Sequence, residues 1–341
     1  AMIGFGAEAI VFGLLGYMFV SAMLMLALAR SGFRLSFSLG SARSMLGGMG
    51  MLYLAGLMSA VIAQGDYFLL GLFVDSSEVG VYYIAFALGI QVVTMFGLNL
   101  GRVLQPALAH LIEDEDRLRA AFVRSAKLLM LVGVPVCFIQ AALAEALVLG
   151  LLRPEYLGAV LPLMFLSIGM AFKLLNFAAV PMIKAQGRFK TYLFWQTVSA
   201  VQLLLLAGAG AWLAGAWGCA LGVGLGSAFM GIALLLSAMR GGSSIVSGAI
   251  GIFATPVLCS ILAGAAAYLP GLFLPETRLG ALAHILVGGA AGTIVYAALV
   301  RVFLMDQAED FLRRTEHLWR RLPGTTRVVR LYCPGYAPGA A

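Results

Sequence analysis

Charged side chains are scarce in this sequence, and their scarcity excludes most classes of protein. Only 11% of the 341 residues are Asp, Glu, Lys or Arg, whereas 62% are hydrophobic. Soluble globular domains carry about 25% charged residues, so the composition indicates a membrane protein. The chain also has only four cysteines and three histidines. None has a partner at ligand spacing, so we expect neither a disulfide framework nor a metal site.

Sequence motifs that carry enzymatic chemistry are also missing. There is no G-x-x-x-x-G-K-[ST] sequence, so we expect no nucleotide binding through a P-loop. No nucleophile and base stand at helical spacing, and we therefore expect no cofactor, no catalytic residues and no enzymatic activity. The net charge of +7 does not indicate nucleic acid binding, because the basic residues do not form one patch.

Long apolar runs dominate what is present. In windows of about 19 residues they predict nine transmembrane helices, each long enough to cross a ~30 Å hydrocarbon core at ~1.5 Å per residue. The expected fold class is therefore all-α, a polytopic bundle of about nine membrane helices. The predicted spans are residues 8–29, 46–74, 80–105, 128–149, 158–182, 191–213, 216–238, 249–269 and 279–304.

Lys and Arg residues fall almost entirely on alternate loops. Of the 22 basic residues, all but three lie on one set of loops, at the adjoining span ends, or in the C-terminal segment; the exceptions are Arg153, Lys173 and Arg278. By the positive-inside rule we predict a cytoplasmic C-terminus and an external start. An external start with an odd number of spans is unusual for a complete transporter. We therefore expect that an N-terminal portion precedes Ala1, and a miscounted span is the alternative.

Polar residues in the spans mark candidate substrate contacts, because charge at the bilayer centre costs roughly 3 kcal/mol. Lys173 lies about nine residues, or ~14 Å, from the end of its helix, close to the midplane. Asn176 shares its face at i+3, whereas Gln91 and Arg102 belong to a second stripe on the third span. We predict that these four residues bind substrate. The alternatives are that Lys173 pairs with Asp66 and that Arg102 extends to the headgroups.

A cation-coupled carrier requires a carboxylate in its pathway. Asp66 lies about eight residues, or ~12 Å, inside its span and is the first candidate for ion coupling. Glu145, near the outer end of another span, is the second. Lys173 supplies the mobile positive charge that a phosphate-linked headgroup requires in a low-dielectric region.

Two further patterns concern packing and the membrane surface. Residues 110–127 and 306–322 mix apolar and charged side chains, which predicts amphipathic helices on the cytoplasmic leaflet; solvated linker helices are the alternative.

Three glycines of the seventh span repeat the G-x-x-x-G spacing that permits close helix approach. These are Gly218, Gly222 and Gly226, and the spacing recurs at Gly97 with Gly101 and at Gly288 with Gly292.

Several short motifs resemble those of a known family. They are QGDYFLLG at 64–71, EVGVY at 78–82, QPAL at 105–108, RPEY at 153–156 and AQGRFK at 185–190. In order and sidedness they are similar to the C-terminal half of Wzx-type polysaccharide flippases. These belong to the multidrug/oligosaccharidyl-lipid/polysaccharide exporter superfamily. The resemblance covers about residues 40–240.

The resemblance implies two six-helix lobes around a central cavity and alternating access. It implies transport of undecaprenyl-pyrophosphate-linked sugar repeat units across the bacterial inner membrane, for surface polysaccharides such as the O-antigen of lipopolysaccharide. Expected partners are this lipid-linked oligosaccharide, membrane lipids and polysaccharide-assembly proteins. The expected domains are 1–40, the end of a truncated N-terminal lobe; 41–240, the C-terminal lobe; 241–305, an added helix pair; and 306–341, a basic cytoplasmic tail.

Other functions stay open at this point. The superfamily also contains cation-coupled drug exporters and lipid II flippases, and the motifs do not identify the substrate. A membrane scaffold that holds glycosyltransferases through its basic tail, without transport, belongs to a different class. A membrane-embedded enzyme ranks last, because no catalytic pair is visible.

Overall fold

The computed structural model describes residues 8–28, 39–239, 245–275 and 277–305. The chain divides into two compact units, Ala1–Gly47 and Gly48–Ala341. The first unit contains helix α1, Glu8–Leu28, and the start of α2. The later helices, and the cavity described below, belong to the second unit.

The described part of the second unit is helical apart from short turns. A π turn, Thr94–Leu98, joins two of the helices, and 3₁₀ turns occupy Pro154–Ala159 and Leu269–Phe273. The α-helices are α2 Leu39–Phe73, α3 Ser76–Val93, α4 Asn99–Ala109, α5 Glu115–Ala142, α6 Ala144–Leu151, α7 Val160–Lys173, α8 Asn176–Ala185, α9 Phe189–Ala238, α10 Ile245–Tyr268 and α11 Arg278–Phe303.

Seven helical segments of the described chain are long and apolar enough to cross a membrane. The predicted all-α membrane fold is therefore confirmed. The count falls below nine for two reasons. Helix α9 joins the predicted spans 191–213 and 216–238 in one run. The first predicted span, 8–29, coincides with α1, Glu8–Leu28, but only its part Leu15–Leu28 is counted, as a shorter apolar helix.

Helix α9 is a hairpin of two arms folded at Ala214 and Gly215. Gly215 has a φ of +61°, in the left-handed region that glycine enters without steric cost. After the turn, the Ala216 N–H donates to Glu78 Oε1 at 2.8 Å. A side chain of α3 thus satisfies one of the free amides at the start of the second arm, and both predicted spans are preserved.

The glycine repeats pack helices closely, as predicted. A Cβ on Gly218 would overlap the carbonyl oxygen of Gly210, and a Cβ on Gly222 would overlap that of Leu206. From one contact to the next, the residue number falls on the first arm and rises on the second, so the arms are antiparallel. The other two repeats also face neighbouring helices: Gly97 and Gly101 lie against Phe177, and Gly288 and Gly292 lie against the carbonyl oxygens of Ala267 and Ala263.

The prediction of a surface helix over residues 110–127 is wrong. From Glu115 onward this segment is the start of α5, which continues to Ala142. Leu118 and Phe122 are buried, because their apolar side chains pack inside the helical unit and not in the acyl boundary. The second predicted surface helix, 306–322, lies outside the described residues, as does the predicted tail.

Helices α10 and α11 pack directly on α5 and α6. The Tyr296 hydroxyl donates to the Leu131 carbonyl oxygen at 2.7 Å, and Arg278 Nε donates to the Gly150 carbonyl oxygen at 3.2 Å. The helix pair therefore belongs to the same compact unit as the helices before it. The predicted division of the chain at residue 240 stays a prediction.

Candidate functional site

A polar cavity of about 560 Å³ lies between α2, α3, α7, α8 and both arms of α9. Its volume is within the roughly 300–1,000 Å³ typical of small-molecule sites. One acidic and two basic side chains line it, so its formal charge is positive. The polar lining residues are Ser59, Asp66, Lys173, Asn176, Lys184, Tyr192, Gln196, Ser199, Gln202 and Ser227.

Asp66 is the acidic group of the cavity and is only 1% exposed. Its Oδ2 accepts a 2.7 Å hydrogen bond from the Tyr82 hydroxyl of α3. The Tyr67 ring stands edge-on to the Tyr82 ring, with 5.5 Å between the ring centres. Since a buried carboxyl group without a donor is costly, Tyr82 both stabilises Asp66 and fixes its orientation.

Lys173 and Asn176 lie on either side of a tightened turn in the predicted span 158–182, which stays one apolar helical segment over Pro154–Ala185. Helix α7 ends at Lys173 and α8 begins at Asn176. The turn between them is tightened by a 3.1 Å bond from the Phe177 N–H to the Leu174 carbonyl oxygen. Leu174 and Leu175 keep right-handed helical φ and ψ angles, so the span continues through the turn. Both predicted residues line the polar cavity, and their contact with substrate stays a prediction.

Lys173 and Asp66 line the same cavity without forming a salt bridge. Among the residues that the structure describes, the salt bridge joins Arg117 to Asp114, at the start of α5, and none joins Lys173 to Asp66. The Lys173 ammonium group is thus available to an anionic ligand. One turn before Lys173, α7 packs closely on the second α9 arm, since a Cβ on Gly169 would overlap Gly224.

Two amide oxygens of the cavity are buried without a donor. Asn176 Oδ1 and Gln202 Oε1 have no hydrogen-bond partner within the described part of the chain. An unsatisfied buried acceptor costs about 1–3 kcal/mol, so we expect each to accept from water or from a ligand. Together with the ammonium groups of Lys173 and Lys184, they favour a ligand that carries both anionic oxygens and hydroxyl groups.

Much of the polar lining is missed by sequence reasoning. The charge pattern assigns Lys184 to a loop, but it lies in α8 with its ammonium nitrogen 4.4 Å from the centre of the Tyr192 ring. Gln196, Ser199 and Gln202 lie on the first arm of α9. Their i, i+3, i+6 spacing places them on one helix face, and this spacing is the signal that reveals them.

Gln91 and Arg102 do not reach the cavity. Both side chains are exposed on the surface of α3 and α4. The π turn Thr94–Leu98 separates them, and the wider turn changes the rotation of the helix so that straight-helix spacing no longer applies. Helix α3 instead contributes Phe86 and Ile90 to the lining. Substrate contact by Gln91 and Arg102 stays a prediction about that exposed surface.

Glu145 also lies away from the polar cavity. It is exposed near the start of α6 and lines a smaller hollow of about 270 Å³ with His284 and Tyr268. The His284 Nε2 lies 3.1 Å from the Ala267 carbonyl oxygen. The two predicted ion-coupling carboxylates are thus in separate places, and Asp66 is the one that shares a cavity with Lys173. In the described residues no three His, Cys, Asp or Glu side chains cluster in a way that could hold a metal ion.

Loss of the Tyr82 hydroxyl is expected to destabilise the protein. In Tyr82→Phe the buried Asp66 loses its side-chain donor, which costs about 1–2 kcal/mol of the free energy of unfolding. The expected result is a lower thermal unfolding midpoint in detergent. Tyr83→Phe is the matched control, since that ring is 59% exposed. Equal midpoints for the two variants would show that the hydrogen bond to Asp66 contributes nothing.

Comparison with known proteins supports a role in polysaccharide assembly. Residues 1–162 match a family model described as polysaccharide biosynthesis protein. The matched segment includes Asp66 and Tyr82 and ends before Lys173. No curated protein matches the chain. The resemblance inferred from the sequence motifs is therefore confirmed at the level of the family. Over residues 1–162, this multi-pass membrane chain is thus similar to the polysaccharide biosynthesis protein family, and the match supports a role in polysaccharide synthesis or export.

Proposed function

We propose that the protein is a flippase that moves undecaprenyl-pyrophosphate-linked oligosaccharide across the bacterial inner membrane, with its C-terminus in the cytoplasm. The observation that carries this proposal is the polar cavity among apolar helices. Lys173 and Lys184 line it, together with the unpartnered oxygens of Asn176 and Gln202. Ammonium groups bind phosphate oxygens, and the amide oxygens accept hydrogen bonds from sugar hydroxyl groups.

The proposed reaction is movement without covalent change. A pyrophosphate headgroup has to leave the interface and cross a low-dielectric region, where unpaired charge is prohibitive. A cationic cavity supplies the compensating charge during the crossing. The lipid leaves with the structure it had on entry, so no cofactor and no enzymatic step are part of the proposal.

Asp66 is the proposed ion-coupling residue. A charged Asp66 competes with phosphate for Lys173 and repels the phosphate. A proton or sodium ion on the Asp66 carboxylate removes both effects and strengthens phosphate binding. Because Asp66 and Lys173 line one cavity, neutralising the carboxylate changes the field at the phosphate site directly.

The test is translocation by the full chain in proteoliposomes. A fluorescent undecaprenyl-pyrophosphate oligosaccharide is placed in both leaflets, and a membrane-impermeant reductant bleaches the outer one. The expected result is bleaching of the inner pool at least about tenfold faster than in protein-free vesicles. Fluorescent phosphatidylglycerol is the control and should show no acceleration. If the oligosaccharide lipid moves no faster than in protein-free vesicles, the flippase proposal is rejected in favour of a scaffold that does not transport.

A further inference from the structure

The two arms of α9 touch through their backbones near the turn and through a side chain farther along. Near the turn they touch through Gly210 and Gly218. At the opposite end the Trp195 Nε1 donates to Ser237 Oγ at 3.0 Å. A second backbone contact joins Leu206 to Gly222; between it and this hydrogen bond, the gap between the arms at Gly226 is filled by a side chain and not by backbone. That side chain is Gln202, whose Nε2 would lie 2.8 Å from a Cβ on Gly226.

An apolar groove of about 640 Å³ lies on one side of this gap. Its walls include Val201 and Leu205 of the first arm and Leu225 and Phe229 of the second. These four side chains are 50% to 66% exposed. In a helix that crosses a membrane, exposed apolar side chains at this depth face lipid chains. The groove is therefore accessible from the hydrocarbon region.

The polar cavity lies on the other side of the same gap. Gln202 lines both the apolar groove and the polar cavity. Gly226, its neighbour on the opposite arm, also lines the polar cavity. Gln202, packed against Gly226, is thus a side chain that the two spaces share. A side chain with free rotamers moves at far lower cost than a helix backbone.

We infer that the apolar groove holds the polyprenyl chain of the transported lipid. The polyprenyl chain then runs past the side chain of Gln202 to reach the headgroup in the polar cavity. This assignment presupposes the proposed flippase activity. In a polyprenyl diphosphate the apolar chain is bonded directly to the charged headgroup. A headgroup in the cavity near Lys173 therefore requires a slot through which its chain reaches the bilayer.

Depth within the membrane favours a lipid chain as the occupant. Gln202 lies about 13 residues, or ~20 Å, along the arm from Phe189, well inside the hydrocarbon core. An occupant at this depth enters through the bilayer. The adjoining cations, Lys173 and Lys184, select a chain with a phosphate headgroup over an uncharged lipid.

Photo-crosslinking tests this assignment. The probe is a tritiated polyprenyl diphosphate that carries a photoreactive group in its polyprenyl chain. It is added to proteoliposomes that contain phosphatidylglycerol and the full 341-residue protein. The expected adducts lie on the groove residues Val201, Leu205, Leu225 and Phe229. Excess unlabelled polyprenyl diphosphate should reduce them at least about tenfold, whereas equal phosphatidylglycerol should not. Adducts spread over other faces such as Ile294 of α11, or equal competition by phosphatidylglycerol, would overturn the assignment.

A pair of matched variants sharpens the test. Val201→Trp fills the groove and is expected to lower the labelling of the remaining groove residues at least about tenfold. Ile294→Trp is the control, since Ile294 is also β-branched and is 68% exposed on another helix. In this variant the groove residues should be labelled to the same extent as in the wild type. Both variants should elute as monodisperse protein. Wild-type labelling in Val201→Trp would exclude the groove as the chain site.

The two proposals fail in distinguishable ways. If the oligosaccharide lipid is translocated without labelling of the groove, the chain site is wrong and the flippase activity stands. If the groove is labelled specifically but no translocation occurs, the protein binds the lipid and the flippase proposal is wrong.

Discussion

Replacing Lys173 by glutamate is expected to abolish translocation, and replacing it by alanine is expected to reduce the rate at least about 100-fold. An ammonium group about 4 Å from a phosphate oxygen contributes roughly 4 kcal/mol at an effective dielectric constant of about 20. Each 1.4 kcal/mol is a factor of about ten. Glutamate also adds a negative charge to the cavity that already holds Asp66, so it repels the phosphate in addition to losing the attraction.

The measurement is the translocation rate in proteoliposomes together with surface polysaccharide in cells. Lys190→Glu is the matched control. Lys190 is exposed at the start of α9, and the substitution changes the charge by the same amount as Lys173→Glu. Lys173→Arg keeps the positive charge and should retain more activity than alanine. If Lys173→Ala and Lys173→Glu both translocate at the wild-type rate, the role of Lys173 in holding the pyrophosphate is refuted.

Gly218→Ala is expected to destabilise the protein and to lower its free energy of unfolding by about 3 kcal/mol. In an ordinary helix the change from Gly to Ala is stabilising by about 0.5–1 kcal/mol. At this position the new Cβ would overlap the Gly210 carbonyl oxygen. The carbonyl oxygen belongs to the backbone and the backbone fixes the position of a Cβ, so no rotamer relieves the overlap. The α9 arms must therefore separate, at a cost of about 1–3 kcal/mol or more.

Gly71→Ala is the control for this prediction. Gly71 is also within a helix, and a Cβ there would meet no atom within 4 Å. Its unfolding midpoint in detergent should equal that of the wild type or exceed it. Opposite signs for the two variants are therefore expected. A similar shift for both would mean that the contact between the α9 arms does not limit their approach.

Local features of the chain explain which parts of the fold were predictable. The spans 191–213 and 216–238 follow from apolar length alone, because a helix that crosses lipid must satisfy its own backbone. The Gly218 repeat predicts close approach without knowledge of the partner helix. In contrast, Leu118 and Phe122 show the same amphipathic pattern whether they face lipid headgroups or a neighbouring helix. Only the packing of α5 distinguishes these cases.

Some residues of the candidate site could be found from the sequence, whereas the place of others follows only from the packing of the helices. Lys173, Asn176 and Asp66 are visible in the sequence because polar groups inside apolar spans are costly and require a compensating environment. Arg102 was expected on a continuous stripe, but the π turn Thr94–Leu98 places it on the exposed surface. Lys184 was expected in a loop, but α8 extends far enough to bring it to the cavity.

The membrane class, the positions of the spans and the polar residues that they contain all follow from the order of the amino acids. These are properties of single helices, set by residue composition and by the free energy of transfer to lipid. Only the packing of the helices shows that Asp66 is held by Tyr82, that it shares a cavity with Lys173, and that Gln202 lines both this cavity and an apolar groove. These are relations between helices, and they depend on rotation and approach, which small backbone changes at the π turn and at Gly215 control.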